Sequence, residues 1–134
     1  AALAVIDAYE AHDVVATLAR QGERLRRGVA CAAREAGVAD VFTTLGRTCN
    51  LVYVTRDASG RPSQELRALF LQELIRRGVL GPSFVVSYSH QDDDIDRTID
   101  ATDGALAIYA RAMSDGVDGL LVGPPSRPVF GRHH

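Results

Sequence analysis

The segment VFTTLGRTCNLVYVT, Val41 to Thr55, decides the fold, because here the apolar residues leave helical spacing and take strand spacing. β-Branched and large residues fill both halves, and Gly46-Arg47 interrupts them. The pattern fits two antiparallel strands, and one strand bent at Gly46 fits it equally well. The flanking sequence is helical, so this short β segment indicates a mixed α and β protein.

Three amphipathic helices are predicted around this segment. The first runs from an N-cap at Asp13 to about Gly37, the second from a cap at Ser63 to Gly78, and the third ends at Gly116. Apolar residues recur every three or four positions in each helix. The residues predicted to be buried are Val14, Val15, Leu18, Leu25, Val29 and Ala32 in the first helix, Leu66, Leu69, Phe70, Leu74 and Ile75 in the second, and Ile95, Ile99, Thr102, Leu106, Tyr109 and Met113 in the third.

A broken third strand is predicted from Val79 to Tyr88, with its break at Gly81-Pro82, since proline cannot donate into a ladder. The order helix, strands, helix, strand, helix predicts an α+β domain over residues 1–121. Its sheet is small and antiparallel, with about three strands and helices packed on one face. Residues 1–9 have helical composition and indicate the tail of a longer helix, and the Pro- and Gly-rich residues 122–134 indicate an extended tail.

Composition excludes several classes of function. With a net charge of −2 and basic residues close together only at Arg24, Arg26 and Arg27, the chain gives little reason to expect nucleic-acid binding. Its apolar runs are too short to span a membrane, and no secretory signal opens the chain, so a soluble cytoplasmic protein is expected. Cys31 and Cys49 lack the spacing of a metal or redox motif and are expected to be free, mostly buried thiols.

All 15 basic residues are arginine, and the chain contains no lysine. It therefore has no side-chain amine for a Schiff base and no lysine to act as a catalytic base. The chain begins at Ala1 and not at methionine, so we expect it to be part of a longer polypeptide.

Candidate catalytic groups are few. The acids Asp92, Asp93, Asp94 and Asp96 resemble a calcium loop, but the loop lacks the glycine and distal glutamate of an EF-hand. Acids in the first turn of a helix are stabilised by its free N–H groups, so these are expected to begin the last helix and no metal site is expected.

A serine hydrolase site at Ser87, Ser89 and His90 is the least favoured reading, because no orienting acid or oxyanion hole is evident. The terminal His133 and His134 are expected to be a disordered end or the remnant of a tag. Arg47 is the best isolated candidate, since a guanidinium binds carboxylate or phosphate in a bidentate manner. Composition and spacing thus provide no catalytic residues.

The segments RQGERLRRGV, GRTCNLVYVTRD and RRGVLGPSFVVSYSHQDDDIDRTIDA together resemble the C-terminal part of class III aminotransferases, which are fold type I enzymes dependent on pyridoxal 5′-phosphate. The most similar branch is that of glutamate-1-semialdehyde 2,1-aminomutase. The resemblance extends from about Ala1 to Leu121 and rests on the order and spacing of these segments. It implies that the Ser87–Asp96 joint is structural.

The resemblance implies a small domain, with residues 1–9 leading in from a missing large domain that binds the cofactor. The parent enzyme would be a homodimer that transfers an amino group through pyridoxamine phosphate, using an amino acid or keto substrate. The loop Gly81 to Phe84 would border the active-site mouth, with Ser83 and Phe84 near the substrate and Arg47 as a carboxylate contact. The chain alone would hold no pyridoxal phosphate and would not catalyse.

One departure bears on the substrate. The aminomutases have a longer insertion with a glutamate after the proline and serine, whereas this chain passes directly from Ser83 to FVVSYS. The resemblance therefore favours a relative that acts on another amino acid or keto partner. The alternative from a different class is a stand-alone, non-catalytic binding or assembly module derived from the same domain.

Overall fold

The computed structural model describes residues 2–125. Its elements are α1 (Ala2–Ala11), α2 (Val14–Glu35), β1 (Phe42–Arg47), β2 (Asn50–Thr55), α3 (Gln64–Arg76), β3 (Phe84–Val85) and α4 (Asp92–Asp115). The strands form one antiparallel sheet in the order β1-β2-β3. Helices α2 and α3 pack on one face of this sheet, and α4 packs on both of these helices. The predicted α+β class and the small sheet of three strands are confirmed.

Of the two alternatives for the central segment, the structure has two strands joined by the turn Thr48-Cys49. In this hairpin Arg47 lies opposite Asn50. Gly46 has a φ of 102°, and a Cβ added there would lie 2.7 Å from the carbonyl oxygen of Asn50. A side chain at Gly46 would therefore disturb the hairpin, which accounts for a glycine within a strand.

The core lies between the sheet and the helices and is built around aromatic rings. Alternation along the strands turns Phe42, Leu51 and Tyr53 toward the helices, where each is at most 1% exposed. The ring of Phe70 on α3 lies 4.7 Å from that of Phe42 and 4.8 Å from that of Tyr53, measured between centroids. Burying each such side chain stabilises the fold by about 1.5–3 kcal/mol.

One predicted helix cap is confirmed and one is wrong. The hydroxyl oxygen of Ser63 accepts a hydrogen bond of 3.2 Å from the backbone N–H of Leu66, as expected of an N-cap. Asp13 occupies the N-cap position of α2, but its side chain makes no capping hydrogen bond. Its backbone is left-handed, with φ 49°, because it turns the chain between α1 and α2.

The third strand is much shorter than predicted. Only Phe84–Val85 pairs with β2, and Val86 adds one bond of 3.0 Å from its N–H to the carbonyl of Cys49. Pro82 cannot donate to a ladder, which keeps the preceding residues out of the sheet. Beyond the strand, the N–H of Ser87 donates to Nδ1 of His90 and turns the chain away.

Two residues predicted to be buried lie at the surface: Val15 is 66% exposed and Ile75 is 51% exposed. Each follows a buried neighbour, Val14 or Leu74, and adjacent helical residues point about 100° apart, so both cannot face the core. Both cysteines are free and only partly buried, and Cys49 lies in the hairpin turn and not in a strand.

After α4 the chain folds back onto α3. The side-chain N–H of Gln72 donates to the carbonyl of Leu120 at 2.8 Å, and its side-chain oxygen accepts from the N–H of Val122 at 2.9 Å. The predicted tail therefore begins beside α3, and the greater part of it, with His133 and His134, lies outside the described residues.

Candidate functional site

One face of the sheet has no helix packed over it among residues 2–125. We call this side the open face; it consists of Thr43, Leu45, Arg47, Asn50, Val52, Val54 and Val85. Leu45 pairs with Val52 at its centre, and the two are 57% and 44% exposed. Val85, beside Asn50, is 58% exposed. These exposed apolar side chains share the face with Arg47 and Asn50 and make it a candidate interaction surface.

Helix α1 is a second uncovered apolar element. None of its residues is buried, although it carries Leu3, Val5, Ile6 and Tyr9, which are between 47% and 76% exposed. It packs only lightly on α2. Since a helix of 10 residues is marginal in water, α1 needs another surface to stabilise it.

Side chains from a strand and a helix hydrogen-bond to the loop Gly81 to Phe84, which the resemblance places near the substrate. The hydroxyl of Tyr53 donates to the carbonyl of Gly81 at 3.0 Å. The guanidinium of Arg67 donates to the carbonyl of Pro82 at 2.8 Å and to the carbonyl of Tyr53 at 3.2 Å, and it stacks 4.6 Å above the Tyr53 ring. Burial raises the pKa of Tyr53 despite the opposing charge of Arg67, so its hydroxyl remains a donor at neutral pH.

The sequence alone did not identify Tyr53 and Arg67 as the residues that bind this loop; we call this pair of contacts the clamp. Tyr53 belongs to a strand and Arg67 to a helix, and 14 residues separate them along the chain. Alternation along β2 puts Tyr53 on the face toward the helices, but alternation does not indicate which carbonyl its hydroxyl reaches.

Of the three predicted site residues, Arg47 lies at the hairpin end of the sheet, Phe84 pairs with Leu51, and Ser83 precedes Phe84 on the side away from the hairpin. Arg47 is exposed at the end of β1, and β2 separates it from β3, so about 10 Å of sheet lies between Arg47 and Val85. Ser83 is partly exposed. The ring of Phe84 is only 3% exposed and packs 5.6 Å from the Tyr53 ring, so we place Phe84 in the core. Arg47 and Ser83 remain open to solvent.

The polar joint between β3 and α4 contains short-range hydrogen bonds. The N–H of Ser89 donates to the hydroxyl oxygen of Ser87. Gln91 and Asp94 form a capping box: the N–H of Gln91 donates to the carboxylate of Asp94 at 2.9 Å. Because Nδ1 of His90 accepts from the backbone, it cannot donate to an orienting acid as a catalytic histidine does.

Two of the acids at this joint bind the helix beside them. Arg24 of α2 forms ion pairs of 2.9 Å with Asp92 and 2.7 Å with Asp96. Hydrogen bonding from Gln21, followed by the charge of Arg24, lowers the pKa of Asp92. The acids therefore begin α4 and tie it to α2.

The cofactor implied by the resemblance does not fit this chain. No lysine is present in the sequence to hold pyridoxal phosphate. The rings of Phe42, Tyr53 and Phe70 are enclosed in the core and cannot stack on a pyridine ring, whereas Tyr9 and Tyr88 are 47% and 46% exposed. Among residues 2–125, no group of three or more His, Cys, Asp or Glu side chains is placed to hold a metal ion.

Each helix within residues 2–125 is too short or too polar to cross a membrane. Comparison of the chain with protein-family models, with curated proteins and with solved structures gives no match.

Proposed function

We propose that this chain is the C-terminal small domain of a class III, pyridoxal-phosphate-dependent aminotransferase or aminomutase similar to glutamate-1-semialdehyde 2,1-aminomutase. The observation that carries the proposal is the uncovered apolar surface of the open face and α1, on a chain without lysine. A small domain that packs on a larger one needs such a surface. The resemblance of its sequence motifs to class III aminotransferases supports the choice of that larger domain.

In the parent enzyme this domain forms one wall of the substrate cleft. The large domain holds the cofactor, which would supply the transfer of an amino group between amino acid and keto substrates. From this chain, Ser83 and Arg47 face the cleft, with Arg47 in contact with a carboxylate. The parent acts as a homodimer. Its compartment is the cytoplasm, in keeping with the free thiols of Cys31 and Cys49.

The test compares the protein encoded by the complete gene with the 134-residue chain. Each is incubated with pyridoxal phosphate, reduced with borohydride and digested, and the modified lysine is located by mass spectrometry. A panel of amino acids is then tested for conversion of the bound cofactor to its amine form. We expect modification of a lysine outside these residues and conversion by at least one amino acid. A complete protein that neither retains the cofactor nor transfers an amino group contradicts the proposal.

The second candidate is a stand-alone module that uses the same surface to bind a protein partner. The open face suits it only if the partner is apolar where Leu45, Val52 and Val85 are exposed. Size-exclusion chromatography of the 134-residue chain separates the two candidates. A clean monomer favours the module, and self-association favours a domain that has lost its large neighbour.

A further inference from the structure

The backbone carbonyls of Gly81 and Pro82 are both occupied by side chains from outside their loop. Tyr53 on β2 binds the first at 3.0 Å, and Arg67 on α3 binds the second at 2.8 Å. Gly81 is buried and Tyr53 is 1% exposed, so the first of these bonds lies in the interior. Hydrogen bonds between buried groups are costly to lose because water does not replace the missing partner.

Arg67 couples the loop to the sheet as well as to its own helix. The same guanidinium that donates to Pro82 also donates to the carbonyl of Tyr53, and it lies 4.6 Å from the Tyr53 ring. Three contacts in different directions leave this side chain little freedom to rotate. The loop therefore has two fixed points immediately before Ser83.

We propose that Tyr53 and Arg67 are positioning residues for substrate binding, and that their clamp on Gly81 and Pro82 fixes Ser83 at the edge of the cleft. This inference rests on the proposed function. Neither residue touches the substrate; each acts through the backbone of the loop. A shift of about 1 Å in a binding group is enough to lower activity substantially, so a loosened loop should be measurable in the kinetics.

The kinetic test uses the complete, cofactor-loaded protein with Tyr53→Phe and Arg67→Met. Tyr53→Phe keeps the ring and removes only the hydroxyl. We expect kcat/KM for the amino donor to fall roughly three- to tenfold in this variant and further in Arg67→Met, which loses two hydrogen bonds. The change should appear mainly in KM, with cofactor content unchanged. Arg67→Lys should recover part of the loss, because it keeps one donor.

Tyr109→Phe is the matched control. Tyr109 is also a buried tyrosine, and its hydroxyl donates to the carbonyl of Arg56 at 2.8 Å, at the end of the sheet opposite the hairpin. We expect this variant to lose stability to a similar extent while kcat/KM, expressed per cofactor-loaded site, stays the same. If Tyr53→Phe and Arg67→Met behave like Tyr109→Phe, the two residues are merely structural and the inference is overturned.

A second measurement does not depend on catalysis. The NMR order parameter of the Ser83 amide in the 134-residue chain should fall from about 0.85 to below about 0.6 in Arg67→Met. An unchanged order parameter would contradict the inference that Arg67 fixes the loop, even if the enzyme is active. A wild-type protein without transaminase activity defeats the proposed function and this inference together. An active wild type whose clamp variants stay within twofold of its kcat/KM defeats the inference alone.

Discussion

The two faces of the sheet carry similar residues in very different surroundings. On the helix side Phe42, Leu51 and Tyr53 are at most 1% exposed. On the open face Leu45 and Val52 are 57% and 44% exposed, although they belong to the same two strands. Antiparallel sheets with one solvated face usually alternate apolar and polar residues, and here the alternation is incomplete.

Burial among residues 2–125 therefore does not account for all the apolar residues of the sheet and α1. The helix-covered face stabilises the domain by itself. The open face and α1 contribute little to that stability, so their apolar residues are better explained by contact with something else. The following predictions test this division of roles, beginning with the largest effect.

The sharpest contrast is between two leucines given the same substitution. Leu69 on α3 is 0% exposed, and Leu69→Ala should destabilise the 134-residue chain by about 2–5 kcal/mol through lost burial and a cavity. Leu45→Ala on the open face should cost less than about 1 kcal/mol. Urea denaturation of both variants measures the two values. Equal losses would mean that the open face supports the fold as much as the core does.

Two glycines of α2 differ in what an added Cβ would contact: backbone at Gly22 and a side chain at Gly28. A Cβ at Gly22 would collide with the backbone carbonyl of Thr48 in the hairpin turn, and one at Gly28 would collide with the side chain of Ile99, at its Cγ1, Cγ2 and Cδ1 atoms. Gly22→Ala should lower stability by about 1–3 kcal/mol, because the hairpin has to move. Gly28→Ala should cost less, since a side chain yields more easily than backbone and alanine favours the helix by about 1 kcal/mol. If the order is reversed, α2 does not hold the hairpin at Gly22.

The helix layer also contains a buried carboxylate whose effect depends on pH. Burial alone would raise the pKa of Glu73, but hydrogen bonds from Arg77 and Gln72 and the charges of Arg76 and Arg77 outweigh it and lower the pKa. A carboxyl pKa lower in the folded state contributes stability above its unfolded value, and that contribution is lost as the pH falls through the folded value.

Glu73→Gln should therefore cost about 1–3 kcal/mol at neutral pH and should flatten the loss of stability in acid. Denaturation curves of wild type and variant across the acid range measure the difference. A constant gap between the two curves at every pH would contradict this assignment.

The smallest expected effect on stability is at Arg47, which is exposed on the open face. Arg47→Ala should change the stability of the chain by no more than about 0.5 kcal/mol. In the complete protein it should raise KM for the amino donor, because the carboxylate loses its guanidinium partner. An unchanged KM removes Arg47 from the proposed site, and Arg61→Ala on the exposed loop before α3 serves as the control.

Much of the fold could be predicted, because local patterns determine it. The spacing of apolar residues identified the three long helices, and Ser63 and Gly78 marked the two ends of α3 correctly. Errors arose where tertiary contacts decide. Asp13 holds the N-cap position but makes no capping hydrogen bond, because the chain turns there, and the third strand ends early because Ser87 and His90 bind each other.

The candidate site was less predictable. Its best-defined feature joins Tyr53 and Arg67 to Gly81 and Pro82, and these contacts depend on how a strand, a helix and a loop come together. Periodicity shows which face a residue lies on, but it does not show which carbonyl a hydroxyl reaches across 28 residues of chain. Phe84 was assigned to the substrate by resemblance, and its ring is in the core.

We propose that another domain covers the open face. The most direct test of this proposal is the rate at which a thiol placed there reacts with a labelling reagent. Val52→Cys is introduced after Cys31 and Cys49 are replaced by serine, both in the 134-residue chain and in the complete protein. Asp103→Cys on α4 is the control, because it is exposed and lies on the solvent side of the helix layer.

We expect rapid labelling of Cys at position 52 in the 134-residue chain. In the complete protein its labelling should be at least about tenfold slower, because the thiol then reacts only after local opening. The control should react at the same rate in both. Equal rates at position 52 in the two proteins would show that the open face stays exposed, and would contradict the claim that it is a domain interface.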